Sequence, residues 1–306
     1  MTATALAWRL PGCVLALTLA GCLGTPTPLA PAVAGSVGMP HSGVQTDPAE
    51  LPVKGEGFVR FRPKSPNYWG NRRLTQAILD VSAKVATQLP GGAPLVVGDL
   101  SARRGGKIPG HRSHRTGRDI DLLFYTTTPS GAAVRSPGFI PFDADGLARL
   151  PSDNLTSYVR LDVERQWLFI KELLVHPAVG VQFIFVSRDI EALLIDYAIA
   201  KGENLSLVWQ AETVLLQPGD SAPHDDHIHV RIACTPEEAV MGCEGGGPLW
   251  EWLPATLGGG PLGAEDLERI AADDPLESRP ALATSEDSPT EAEPDPRAAS
   301  VPGDGA

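Results

Sequence analysis

Five of the seven histidines in this 306-residue chain fall in two short segments. The first, H-R-S-H-R-T-G-R-D-I-D, carries His111 and His114; the second, P-H-D-D-H-I-H-V-R, carries His224, His227 and His229. Neutral imidazole is the commonest biological metal ligand, and Asp121 adds a carboxylate at the end of the first segment. A chain that uses both segments in one site must fold as a single domain that brings two distant stretches together. The expectation is a catalytic zinc site built in that way.

Local geometry supports this reading. On a strand, residues two apart point the same way, so His227 and His229 would share a face while Ile228 and Val230 turn to the core. Gly117 lies between His114 and Asp121 and permits a tight turn that brings their side chains to one point. Two imidazoles and one carboxylate suffice for catalytic zinc and leave a coordination position for water. A further imidazole nearby could serve as base.

The termini bound the folded part. Arg9 precedes an apolar run from Leu10 to Ala20 that is too short to span a bilayer and ends in Leu19-Ala20-Gly21-Cys22. Small residues before a cysteine are similar to the lipobox of bacterial lipoproteins, in which Cys22 would become the lipidated N-terminus. An ordinary signal peptide is the alternative, and either implies export. Residues 1–21 are thus read as a leader and 22–50, rich in Pro, Ala, Gly and Thr, as a tether. A folded domain is expected over 51–261, and an acidic tail over 262–306.

The net charge of −12 is uneven. Twelve acidic residues and three arginines lie between Glu265 and Ala306, so that stretch carries −9 and the remainder only −3. The tail has no aromatic residue and too little apolar surface to offset ordering, which predicts disorder. The folded part has no strongly basic balance, so nucleic acid is not an expected partner. Outside the leader and the anchor, Cys234 and Cys243 remain. In an oxidising compartment they should form a disulfide; paired zinc thiolates are the alternative, with no C-x-x-C to support them.

Leu74, Ile78, Val81, Val85 and Leu89 recur at helical spacing after Asn71, a plausible cap, and Pro90-Gly91-Gly92 stops that helix. Strands are expected at 95–97, 120–125, 181–186 and 228–234. Helices are expected around Val163 to Leu174 and Ile190 to Ala198. Helices and strands mix without strict alternation, which predicts an α+β fold with a small central antiparallel sheet flanked by helices.

S-H-x-x-G-x-D-x-D from Ser113 to Asp121, with H-I-H from His227 to His229, resembles the zinc peptidases grouped with lysostaphin, D-Ala-D-Ala metallopeptidases and the sonic hedgehog fold. The chain is most similar to the penicillin-insensitive murein endopeptidase family. G-D-L-S-A-R-R-G-G ahead of His111, H-D-D-H-I-H-V-R-I-A-C, and Tyr68-Trp69-Gly70 carry that resemblance, which runs from about Gly35 to Trp252. It implies a zinc metallopeptidase domain that cleaves D-alanyl–meso-diaminopimelyl cross-links between peptidoglycan stem peptides. It also implies a periplasmic location, and the lipobox-like segment would hold the chain to a bacterial membrane at Cys22.

Carried over by position, the resemblance makes His114, Asp121 and His229 the Zn2+ ligands and His227 the general base. His224 and His111 match accessory histidines that would bind substrate or stabilise the oxyanion; His111 could instead complete the metal shell. Asp119 and Asp225 could orient imidazoles or serve turns. Arg118 and Arg231 could hold a substrate carboxylate or make structural salt bridges, and Asp99 could support the site or cap a turn. Trp250 and Trp252 are read as packing residues. The rival functions are a zinc D,D-carboxypeptidase of stem peptides and a non-catalytic cell-wall-binding lipoprotein.

Overall fold

The computed structural model describes residues 35–151, 157–219, 221–245 and 247–253. The expected leader, Cys22, residues 23–34 of the tether, residues 254–261 and the acidic tail lie outside the described residues.

The hairpin β1 (Gly35–Met39) and β2 (Ser42–Thr46) comes first, followed by β3 (Ala49–Glu50), β4 (Lys54–Gly55), β5 (Phe58–Arg60) and β6 (Trp69–Gly70). Helix α1 (Arg72–Gln88) opens where the sequence suggests: the Asn71 side chain accepts a hydrogen bond from Arg73 N. Leu74, Ile78, Val81 and Val85 then bury one face, and Leu89 caps the end. Next come β7 (Leu95–Val97), β8 (Asp119–Leu123), β9 (Thr126–Thr127), β10 (Ala133–Val134), β11 (Leu147–Arg149) and β12 (Tyr158–Leu161). The chain continues through α2 (Val163–Leu174), β13 (Val181–Phe185), α3 (Arg188–Ala200), α4 (Leu205–Val214) and β14 (Leu215–Leu216). It closes with β15 (His227–Ile232) and α5 (Pro236–Val240).

Seven strands make the main sheet, in the order β14-β13-β15-β8-β7-β5-β4. The pairs β13–β15, β15–β8 and β8–β7 are antiparallel, so the centre matches the α+β expectation. Towards the edges β14 joins β13 in parallel and β5 joins β7 in parallel. A parallel pair needs a crossover, and helices supply both: α1 between β5 and β7, and α3 with α4 between β13 and β14. A second sheet has the order β10-β9-β12-β11.

The main sheet has two unlike faces. Ile120 and Leu122 of β8, with Ile228, Val230 and Ile232 of β15, are fully buried in the core that the helices cover. Burying each such side chain contributes about 1.5–3 kcal/mol. On the other face, β15 and β8 set His229 opposite Asp121, Arg231 opposite Asp119 and His227 opposite Leu123. Phe183 and Phe185 of β13 extend that row beside Arg231 and His229. The period of two in I-H-V-R-I thus divides core from site.

The structure departs from the expectation in one segment and adds a helix that the sequence did not suggest. Residues 35–50, read as part of a tether, form the hairpin β1–β2 and strand β3. Ser36 and Gln45 are buried there; Ser36 Oγ donates to Thr116 O at 2.7 Å and Gln45 Nε2 to Ala102 O at 2.7 Å. Polar hydrogen bonds hold this hairpin, so it shows no hydrophobic period. Helix α4 also carries no clear period: Val208, Ala211 and Val214 are buried while Leu205 and Trp209 stay exposed.

Cys234 and Cys243 form the expected disulfide, spanning nine residues directly after β15. Among the described residues, no helix is long and apolar enough to cross a membrane.

Candidate metal centre

Strand β8 delivers Asp121, strand β15 delivers His227 and His229, and the loop between β7 and β8 delivers His111 and His114. Two of that loop's left-handed residues shape the site. Gly117 has φ +75°, and a Cβ there would strike Gln45 Oε1 and lie 2.8 Å from Asn71 N. His114 itself has φ +61°, a left-handed conformation that is rare for a non-glycine residue and clusters at functional sites. Ser101 fixes the turn: its hydroxyl donates to His114 O and accepts from Gly117 N at 3.1 Å.

Each imidazole is tied back through one nitrogen and turns the other inward. His114 Nδ1 lies 2.6 Å from Leu100 O, so that nitrogen carries the proton and Nε2 keeps its lone pair, 3.3 Å from Asp121 Oδ1. His229 Nε2 lies 3.0 Å from Asp119 Oδ1, and its Nδ1 faces Asp121 Oδ1 at 3.1 Å. His227 Nδ1 lies 2.6 Å from Asp226 Oδ1, leaving Nε2 3.5 Å from Asp121 Oδ1. His111 Nε2 meets Asp99 Oδ2 at 3.2 Å, and its Nδ1 stands 3.6 Å from Asp121 Oδ2. Four imidazoles therefore converge on one carboxylate.

The donor set fits a metal ion. His114 Nε2 and Asp121 Oδ1 are both buried with no hydrogen-bond partner among the described residues, which is costly unless a cation satisfies them. His111, His114 and Asp121 each offer one ligand atom within 4.8 Å of the others. His229 Nδ1 approaches the same Asp121 oxygen as His114 Nε2, so it belongs to the same cluster by position. Nitrogen donors with one carboxylate suit zinc or a similar divalent ion.

Electrostatics follow from this packing. Burial works against the charge of Asp121, yet His114, His227 and His229 around it hold its pKa well below the usual carboxylate range. Burial likewise opposes the Asp119 carboxylate, and Arg231 with His229 outweighs it, again holding the group low. Burial alone would lower the His227 pKa; the neighbouring Asp121 and Asp226 carboxylates overcome that and push it up to about 10. A cation on Asp121 would remove part of that pull.

The remaining residues named from the sequence separate by position. His224 stands at the edge of the cluster, its ring centroid 5.4 Å from that of His227 and 6.3 Å from that of His229. Asp119 orients His229 and also accepts from Arg231 Nε at 2.6 Å. Arg118 is fully buried and donates to Ile232 O and Glu244 O at 3.2 and 2.8 Å. Both arginines are thus structural. Asp99 supports His111 and is itself held by Arg62 Nη1 at 2.9 Å. Trp250 and Trp252 stack at 15° and pack at the C-terminal end. Sequence reasoning weighed Asp225, but it is Asp226 that holds His227; in D-D-H nothing distinguishes the two. The Leu100 carbonyl left no signal, because backbone acceptors have none.

The comparison with known families decides the rest. A model of the penicillin-insensitive murein endopeptidase family matches residues 36–249, well over half of the chain. The chain belongs to this family. A penicillin-insensitive murein endopeptidase of Escherichia coli O9:H4 (strain HS) is 26% identical over 162 residues, 51% of this chain and 58% of that protein. One from Citrobacter koseri is 27% identical over 159 residues, 50% of this chain and 57% of the other. In Escherichia coli O139:H28 (strain E24377A / ETEC) the likeness is 30% over 94 residues, 30% of this chain and 34% of the other. The chain thus matches less than two thirds of the length of these penicillin-insensitive murein endopeptidases.

Proposed function

We propose that this chain is a zinc-dependent murein endopeptidase that hydrolyses D-alanyl–meso-diaminopimelyl cross-links between peptidoglycan stem peptides. The observation that carries the proposal is the convergence of four anchored imidazoles on Asp121, in a chain of that family. His114 Nε2, Asp121 and His229 Nδ1 would hold the zinc. When bound, zinc acidifies a water and polarises the scissile carbonyl.

The protein's own groups do the rest. His227, with Nδ1–H tied to Asp226, presents Nε2 to the centre, where it can take a proton and return it to the leaving amine. His111 and His224 flank the centre and would contact substrate or the developing oxyanion. A murein substrate places the chain outside the cytoplasm, and the lipobox-like Leu19-Ala20-Gly21-Cys22 supports a lipid anchor at Cys22.

Digestion of purified cross-linked muropeptide dimers and of free pentapeptides tests the proposal. Dimers should be split to monomers by the zinc-loaded chain and spared after chelation. Trimming of pentapeptide ends with intact dimers would instead make it a D,D-carboxypeptidase. His227→Ala should lower turnover about 10²–10⁴-fold while zinc stays bound at one equivalent. Zinc content should fall in His114→Ala, Asp121→Ala and His229→Ala but hold in His111→Ala.

A further inference from the structure

Arg62 stands at the rim of the metal centre, and the roles assigned so far do not use its free edge. Its Nη1 meets Asp99 Oδ2 at 2.9 Å, and the same carboxylate oxygen holds His111 Nε2 at 3.2 Å. Its guanidinium carbon lies 5.4 Å from the Phe61 ring centroid and 5.7 Å from that of Phe139. Phe139 in turn packs edge-on against His227, with centroids 5.2 Å apart. Arg62 therefore touches the supports of both His111 and His227, the two imidazoles that flank the proposed ligands.

The side chain remains 56% exposed while Asp99 is only 5% exposed. Asp99 takes one N–H of a planar fork that has five donors. A guanidinium seated over two aromatic rings, with an edge open beside a reaction centre, is preorganised for a planar anion. An ion pair this exposed adds little to stability, so stability alone does not explain the arrangement.

The surroundings point the same way. Arg103, Arg104 and Lys107 are exposed on the loop that carries His111 and His114, and that loop has no acidic residue between Asp99 and Asp119. This part of an otherwise acidic chain would attract an anion.

We propose that Arg62 binds a free carboxylate of the substrate on the leaving side of the cleaved bond. The inference rests on the endopeptidase reading and adds a specificity contact to it. In a D-alanyl–diaminopimelyl link, the carbon that bears the scissile nitrogen also bears a carboxylate. That group lies two bonds from the nitrogen, within reach of a cation at the rim of the centre. Amidation of it removes the charge and one acceptor without changing the shape.

The test uses ketomethylene isosteres of the cross-link, which cannot be hydrolysed, with the neighbouring carboxylate free or amidated. Each is titrated against the zinc-loaded full chain. The wild type should bind the free acid about 10- to 100-fold more tightly than the amide, as expected for a charge-assisted hydrogen bond. Arg62→Gln should weaken the free acid alone, to the level of the amide, and Arg62→Lys should restore part of the difference. Equal binding of the two isosteres by the wild type would overturn the proposal, and needs no variant to fold. Equal weakening of both by Arg62→Gln would also overturn it, making Arg62 a support for Asp99 and His111. A wild type that separates the isosteres yet leaves the parent cross-link uncut would refute the endopeptidase reading and leave the carboxylate contact standing.

Discussion

Asp119 is wholly buried between the Arg231 guanidinium and the His229 ring. Its position beside a proposed ligand suggested a role, and the geometry supplies one: Asp119 fixes which nitrogen of His229 faces Asp121. Asp119→Asn should weaken metal binding about 10- to 100-fold, read by competition with a chelating dye. It should also lower stability by about 3–5 kcal/mol, because Arg231 would be left with no anion in the interior. The pH dependence has a definite sign. A carboxylate held below its unfolded pKa of about 4 stabilises the fold above that pH and loses the contribution as pH falls. Denaturant midpoints of the wild type should therefore drop steeply below about pH 4, and those of the Asn variant should drop less.

At the scale of elements, the two-residue period of His227–Ile232 makes the site face legible in the sequence. Isoleucine and valine alternate with histidine and arginine, and burial enforces that alternation because a slip by one residue would place His229 in the core. The turn was legible as well, since Gly117 is the residue that a left-handed bend requires. Gly117→Ala should cost about 1–3 kcal/mol and depress metal affinity with it, as the loop carrying His114 is pushed from Gln45 and Asn71. Thermal melts with and without zinc would show both losses, and an unchanged melt would remove the turn from the account. The hairpin of residues 35–46 was not legible. Ser36, Gln45 and several glycines keep it in place through hydrogen bonds to distant loops, and no local pattern announces such partners. The supports of the imidazoles were only half visible for the same reason: Asp99 and Asp119 are side chains in the motif's neighbourhood, while Leu100 contributes a carbonyl.

At the scale of the molecule, the disulfide closes the strand that carries two of the imidazoles. Arg118 donates to Glu244 O just past that closure, and Gly38 N donates to Gly242 O within it at 2.7 Å. The first hairpin and the C-terminal loop thus brace each other beneath the site. Replacing Cys234 and Cys243 by serine should lower stability by about 2–3 kcal/mol on the loop-entropy account. Because Asp121 and the imidazoles are held by other contacts, metal affinity per folded molecule should stay within a few-fold, which equilibrium dialysis would measure. Zinc affinity should also fall as pH drops below about 6, since ligand histidines must be neutral. A flat affinity between about pH 7 and 5 would exclude histidine ligation.

The separate tethering of the four imidazoles has one more consequence. Each ring is held by a partner of its own: the Asp99 carboxylate, the Leu100 carbonyl, Asp119 on the neighbouring strand, and Asp226 next door in the chain. The centre is consequently assembled by folding rather than by the ion. Zinc-finger domains collapse when stripped of metal; this chain should emerge from a chelator still folded and accept zinc again at once. Metal supply would then switch its chemistry on and off without sending the protein back through refolding.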